Sequence, residues 1–307
     1  MSEPAIAIRN EKKRIRWSVE DGALYAAVYA LLILVTVVVA YPIIYILSSS
    51  FSSPSDVAAG RVVLWPVNLS VAGYKAVFSH RSIVSGYLNT IFYTSVGTFI
   101  NLAVTFACAY PLSRRDFPFR RGFMVFFLIT MFFSGGLIPT YILMTQIRFV
   151  NTVWAMLVPG ALSVYNMILV RTFLIGNIPS ELLESAQIDG CSDALYFFKI
   201  VLPLSKAVIA VITLFYAVGH WNAYFGAMIY LNNADLYPLQ IILRNILIAN
   251  QINLTEIKDA ASIAAKQGMA DLLKHSLIVV STAPIMVLYP FIQKYFIKGV
   301  MIGSVKG

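Results

Sequence analysis

Charge is scarce in this chain. Asp, Glu, Lys and Arg make up 12% of its 307 residues, where a soluble domain carries about 25%. The charge is also missing in blocks. None of these residues occurs in 22–55, 82–113, 122–147, 149–170, 207–234 or 275–293. Each block reaches the roughly 18–20 residues that a helix needs to cross about 30 Å of hydrocarbon. Buried helices of a soluble protein keep a polar face, and these blocks have almost none. The pattern predicts an all-α polytopic membrane protein.

Other absences exclude chemistry. Cys108 and Cys191 are the only cysteines, one in an apolar block and one in an acidic loop, so no disulfide framework is indicated. His80, His220 and His275 stand apart, without metal-ligand spacing. No G-x-x-x-x-G-K-[ST] occurs, so the chain has no P-loop for ATP. No nucleophile–base pair marks a catalytic site. The spans hold essentially no ionisable group besides His220, which counts against a proton- or sodium-driven secondary transporter. No basic stripe interleaves with aromatics, which argues against nucleic-acid binding.

Six spans are expected, near 23–47, 87–110, 122–146, 152–174, 207–230 and 275–297. The apolar run after the basic stretch "RNEKKRIR" is too long for a signal-peptide core, so it reads as an uncleaved first span. An even number puts both termini on one side. One set of connecting segments holds fifteen of the 23 Lys and Arg residues, and that richer set is expected in the cytoplasm. It comprises the N-terminal segment 1–22, the "SRRDFPFRR" loop, the loop 176–206 and the C-terminus. Segments 48–86 and 231–274 are expected outside. Ser70 is placed to cap a short interfacial helix. The second outer segment is too polar to span and reads as folding onto a partner or onto the protein's own mouth.

One stretch is unusually acidic: "ELLESAQIDGCSDALYFFKIVLP", from Glu181 to Pro203. Pro179 and Ser180 open a helix with acids at its N-terminus. Asp189-Gly190 marks a turn, with Gly190 able to take positive φ. Ser192 caps a second helix, which Pro203 interrupts. Local chemistry leaves an ordinary connection between spans equally open.

The spacing goes further. Glu184-Ser185-Ala186, three residues, Gly190, nine residues, Ile200, one residue, Leu202-Pro203 is similar to E-A-A-x3-G-x9-I-x-L-P. This resembles the signature cytoplasmic loop of permease subunits of bacterial ATP-binding-cassette importers, with Ser185 in place of the first alanine. The stretches "AYPLSRRDF", "GGLIPTYIL", "NTVWAMLVPGALSVYNMILVRTF" and "LYPLQIILRNIL" resemble the carbohydrate-uptake branch, related to maltose permeases and most similar to oligosaccharide and aldouronate systems. The resemblance implies the six-span fold of type I importers over 23–307, in the bacterial cell membrane. It implies a second, non-identical permease, two ATPase subunits that bind the ATP, and an extracellular binding protein that delivers a sugar or oligosaccharide. The permease itself holds no cofactor. Glu184, Ser185, Ala186, Asp189, Gly190, Ile200, Leu202 and Pro203 would form the ATPase-coupling element.

If this subunit touches sugar, amides and aromatics in the spans are the means. Asn89, Asn101, Tyr165, Asn166, Trp221, Asn222 and Tyr224 are the candidates. The same groups also bond helices together in membranes or anchor them at the interface. A self-contained transporter or channel, or a structural membrane anchor, are the competing readings.

Overall fold

The computed structural model describes residues 19–252 and 268–287, with Pro290 and Gln293. The described residues form helices and connections, with no strand among them. The first helix, α1 (Val19–Ser50), is apolar on all sides beyond its acidic first turn and exposed over most of its length; Ala40, Tyr45 and Ile46 are half-buried, and Ser48, Ser49 and Ser50 are buried. Such a surface suits lipid or another apolar partner. After it come two short helices, α2 (Pro54–Ala58) and α3 (Ala72–Ser79). Val71, not Ser70, is the cap residue of α3, although the Ser70 hydroxyl accepts the Ala72 N–H at 3.2 Å.

The organising element is α4 (Arg81–Ser113), 33 residues long, or about 50 Å at 1.5 Å per residue. It starts six residues before the expected span. Gly86, Gly97 and Asn101 lie on its buried side.

Three of the expected spans are broken helices. The span expected over 122–146 is α5 (Arg120–Phe132) and α6 (Leu137–Gln146), bent by 110°. Gly135 and Gly136 lie at the break, and Gly136 has φ +84°, a conformation that costs other residues energy. The span expected over 152–174 is α7 (Trp154–Leu157) and α8 (Val164–Asn177). Pro159 and Gly160 (φ +81°) separate them, because proline supplies no N–H and disfavours helix in the residue before it.

Next come α9 (Ser180–Ile188) and α10 (Asp193–Leu204). The third broken span, expected over 207–230, is α11 (Lys206–Trp221) and α12 (Phe225–Tyr230), separated by Asn222, Ala223 and Tyr224. An 80° bend at Ser205 joins α10 to α11. Pro203 therefore does not end α10. The helix widens to i→i−5 bonding over Phe197–Val201, runs through the proline, and bends two residues later. A π-turn of this kind relieves the clash of the proline ring with the preceding turn.

The segment expected outside over 231–274 is partly helix folded onto α4. Its helix α13 (Leu239–Ile252) buries Leu239, Ile241, Ile242 and Leu243. Thr90 Oγ1 accepts the Leu239 N–H at 2.8 Å, and Tyr93 donates to the Leu236 carbonyl at 2.9 Å. A Cβ on Gly86 would lie 2.4 Å from Ile242 Cδ1, so glycine permits the contact. The last described helix, α14 (Gly268–Val287), begins seven residues before the span expected over 275–297. The rest of that span, apart from Pro290 and Gln293, lies outside the described residues, as do residues 1–18, 253–267 and the C-terminus. Three helices, α1, α4 and α14, are long and apolar enough to cross a membrane singly; the bent pairs α5–α6 and α10–α11 bring the number to as many as five.

Candidate coupling element and membrane pathway

The acidic stretch folds as two short helices joined by a tight turn. Pro179, with extended backbone, sits at the cap position of α9, and Ser180 makes no side-chain cap. At the other end the Cys191 N–H bonds to the Ala186 carbonyl at 2.9 Å and the Gly190 N–H to the Gln187 carbonyl at 3.0 Å. Gly190 has φ +75°. This is a Schellman termination, whose C′ residue must be left-handed and is usually glycine. The Ser192 hydroxyl then accepts the Leu195 N–H at 3.3 Å and starts α10.

The motif residues divide by burial. Glu184, Ser185, Asp189 and Gly190 are exposed, and Ala186 is buried against the body. Ile200 and Leu202 pack on a core that includes Val201, Met167, Val170 and Ile212, while Pro203 is exposed. One end of the element is thus anchored and the other presented. The presented end carries Ile188 at 86% exposure, with Leu182 and Leu195 also exposed.

Arg114 holds this element from the side. Its guanidinium pairs with Asp116 and with Asp193, and donates to the Tyr110 hydroxyl at 3.3 Å. The bond from Arg114 holds the Asp116 carboxyl below the usual carboxylate range. The bonds to Asp116 and Asp193 in turn raise the Arg114 pKa, although burial opposes them. Between this loop and α9 lies a cleft of about 500 Å³ whose lining includes Arg115, Glu181, Glu184 and Gln187.

Within the span region, Asn101 is the hub. It is 1% exposed. Its amide nitrogen donates to the Gly160 carbonyl at 3.0 Å and to the Ala161 carbonyl at 2.9 Å. These carbonyls lie in the break between α7 and α8. Irregular backbone at membrane depth is tolerated where protein groups satisfy it. The amide oxygen is 2.7 Å from His220 Nε2. Tyr216 completes the seam: its hydroxyl pairs with Thr105 at 2.7 Å and accepts the Ser163 N–H at 3.1 Å.

The other pathway candidates scatter. Asn89 donates to the Asp235 and Tyr237 carbonyls, fastening the segment before α13 to α4. Trp221 donates to the Ser281 carbonyl of α14 at 2.9 Å and meets Tyr87 edge-on. Asn222, just past α11, donates to that helix's Val218 carbonyl. Asn166 is buried, while Tyr165 and Tyr224 are exposed. A cavity of about 280 Å³ touches Asn101 but none of the other six. His220, Tyr216 and Tyr230, absent from the candidates, do line it. His220 carried a signal in the sequence, as the one ionisable group in the span interiors.

In the segment after α1, buried Asp56 accepts from the Ser53 hydroxyl, the Asn68 amide at 2.7 Å and Arg61 at 3.1 Å. The bonds from Ser53 and Asn68, ahead of that from Arg61, hold its carboxyl below the usual range.

Broken apolar helices with an exposed, glycine-terminated helical element suit a membrane transport permease. No family profile matches the chain. It is 39% identical over 280 residues to the polygalacturonan/rhamnogalacturonan transport system permease protein YtcP of Bacillus subtilis, covering 91% of this chain and 97% of that one. It is 40% identical to protein LplC of the same organism, covering 87% and 89%. Among solved structures it is similar to a chain of a bacterial ABC transporter involved in the import of the acidic polysaccharide alginate. The TM-score is 0.83 at 31% identity, over 92% of this chain and 99% of that one. The chain belongs to the permease family of carbohydrate ABC transport systems, and it is a multi-pass membrane protein.

Proposed function

We propose that the chain is one of two non-identical permease subunits forming the membrane pathway of a bacterial importer for a sugar or oligosaccharide. Two ATPase subunits bind and hydrolyse ATP, an extracellular binding protein delivers the saccharide, and this chain catalyses no reaction itself. Both termini and the coupling element face the cytoplasm. The observation that carries the reading is the division of the 181–203 element into an anchored and a presented half. ATPase closure moves the presented half, with Glu184, Ser185, Asp189 and Gly190, while Ile200 and Leu202 pass the motion into the α8 and α11 core. Such coupling by rigid elements is one route by which domains reorient. The names of the relatives support a carbohydrate substrate.

The test is reconstitution. The chain, its partner permease, the ATPase and the binding protein are assembled in liposomes with ATP inside. Labelled saccharide should accumulate against its gradient, and omission of any component should abolish the uptake. Saccharide entry by this chain alone would establish a self-contained transporter and overturn the reading.

A further inference from the structure

The Asn101–His220 pair fixes a protonation pattern. Two backbone carbonyls, at Gly160 and Ala161, can only accept, so the NH₂ group of Asn101 faces them. Its oxygen therefore faces His220, and His220 Nε2 must be the donor across 2.7 Å. In the neutral ring Nδ1 is then left as an acceptor. It has no partner among the described residues, and His220 lines the 280 Å³ cavity.

The surroundings leave room beside the ring. A Cβ on Gly97 would lie 2.5 Å from His220 Cε1 and Nε2, so glycine at 97 makes room for the ring. The cavity wall includes the ring of Tyr216, whose hydroxyl is already engaged by Thr105 and Ser163. Tyr230, Phe215 and Met156 add apolar surface, and Gly160 and Gly219 leave open space. Among the described lining residues there is no Lys, Arg, Asp or Glu. The volume is near the lower end of the roughly 300–1,000 Å³ of ligand pockets.

We propose that this cavity is a subsite for a single uncharged sugar ring, in which His220 Nδ1 accepts a hydroxyl and the aromatic walls take the C–H face. The inference rests on the carbohydrate reading above and names the part of the substrate bound here. A uronate ring fits poorly by comparison, because no described lining residue carries a cation for its carboxylate.

The test uses the assembled transporter in a Cys108→Ser, Cys191→Ser background that also carries Ala223→Cys, a change at another lining position. Modification of the introduced thiol by N-ethylmaleimide is timed with raffinose, a neutral trisaccharide, and with trigalacturonate. Raffinose should slow the reaction and trigalacturonate should not. His220→Gln keeps a donor toward Asn101 but has no acceptor at the Nδ1 position, its amide oxygen lying elsewhere. It should raise the raffinose concentration for half-protection by about three- to tenfold, the equivalent of one neutral hydrogen bond. Protection by neither sugar, by both equally, or unchanged in His220→Gln overturns the proposal. The protection arm retains His220, so it decides the matter even where His220→Gln fails to assemble. Saccharide uptake by the reconstituted parent with no protection of the introduced thiol removes the subsite alone. Absence of uptake of any saccharide removes the carbohydrate reading as well.

Discussion

Arg114 and Asp193 lie 79 positions apart and form an ion pair that ties the end of α4 to the start of α10. The arginine is nearly buried and the aspartate is 65% exposed. An exposed pair contributes at most about 1 kcal/mol. Asp193→Asn should therefore lower the unfolding midpoint only slightly, and the difference should shrink in high salt. Arg114→Ala loses Asp116, Asp193 and Tyr110 together and should cost about 1–3 kcal/mol. Thermal unfolding of the purified complex at low and high salt measures both; equal losses would show that Asp193 alone carries the tie.

Gly190 permits a sharper comparison. A Cβ there meets nothing within 4 Å among the described residues, so the internal cost of a side chain is its left-handed backbone, about 1–2 kcal/mol. Asparagine tolerates that conformation better than valine. Under the proposed coupling, Gly190→Val inserts normally but loses transport, substrate-stimulated ATP hydrolysis and ATPase retention. Gly190→Asn distinguishes two causes. If backbone alone matters it recovers most activity; if the ATPase approaches closely it stays inactive. Normal transport by Gly190→Val would make the element a plain connection. Glu184→Lys, at an exposed position, should leave insertion intact and reduce ATPase co-purification.

The proposed orientation is read by thiol labelling. Single cysteines at Ser55, Asn233 and Ile188, all exposed, are placed in the Cys108→Ser, Cys191→Ser background. An impermeant reagent on intact cells should reach the first two and miss the third. Labelling at 188 would invert the topology.

Asn101→Ala strips partners from two carbonyls and from His220. Each unsatisfied buried group costs about 1–3 kcal/mol, though polar contacts in membranes average nearer about 0.6 kcal/mol. A total loss of about 2–4 kcal/mol is expected, seen as reduced subunit abundance and a lower unfolding midpoint. Full assembly with altered transport would assign Asn101 to the substrate instead.

Asp56 sets an acid limit on the segment that follows α1. Its folded pKa lies below the ordinary aspartate value of about 3.9. Its stabilising effect is thus complete above that value and is lost as pH falls through the lower folded pKa. Protease cleavage near residues 53–68 should accelerate below about pH 4 and be already fast, with a flatter pH response, in Asp56→Asn.

The membrane class was legible because charge-free blocks are long and local. The turn at Gly190 and the cap at Ser192 were legible for the same reason, since each depends on neighbours within five residues. Two of the three breaks in the spans had local signals, Gly135-Gly136 and Pro159-Gly160, but the hydrophobic runs masked them. What stayed hidden is long-range. Nothing near Asn101 announces that its partners are Gly160, Ala161 and His220. Nor does the polarity of 231–252 reveal that α13 lies on α4, since Gly86 and Thr90 supply the fit.

The bend at Ser205 makes α10 and α11 the two arms of a bell crank. The arm from Asp193 to Leu204 is roughly 18 Å long and the arm from Lys206 to Trp221 roughly 24 Å, at 1.5 Å per residue. If the elbow stays rigid, both arms turn through one angle, so a sideways push at the first emerges about one-third larger at the second. Spin-label pairs reporting the two tips would read that ratio, and unequal rotation would show a yielding elbow. The far tip is where His220 and Trp221 sit, so the lever gives its longest stroke to the cavity wall.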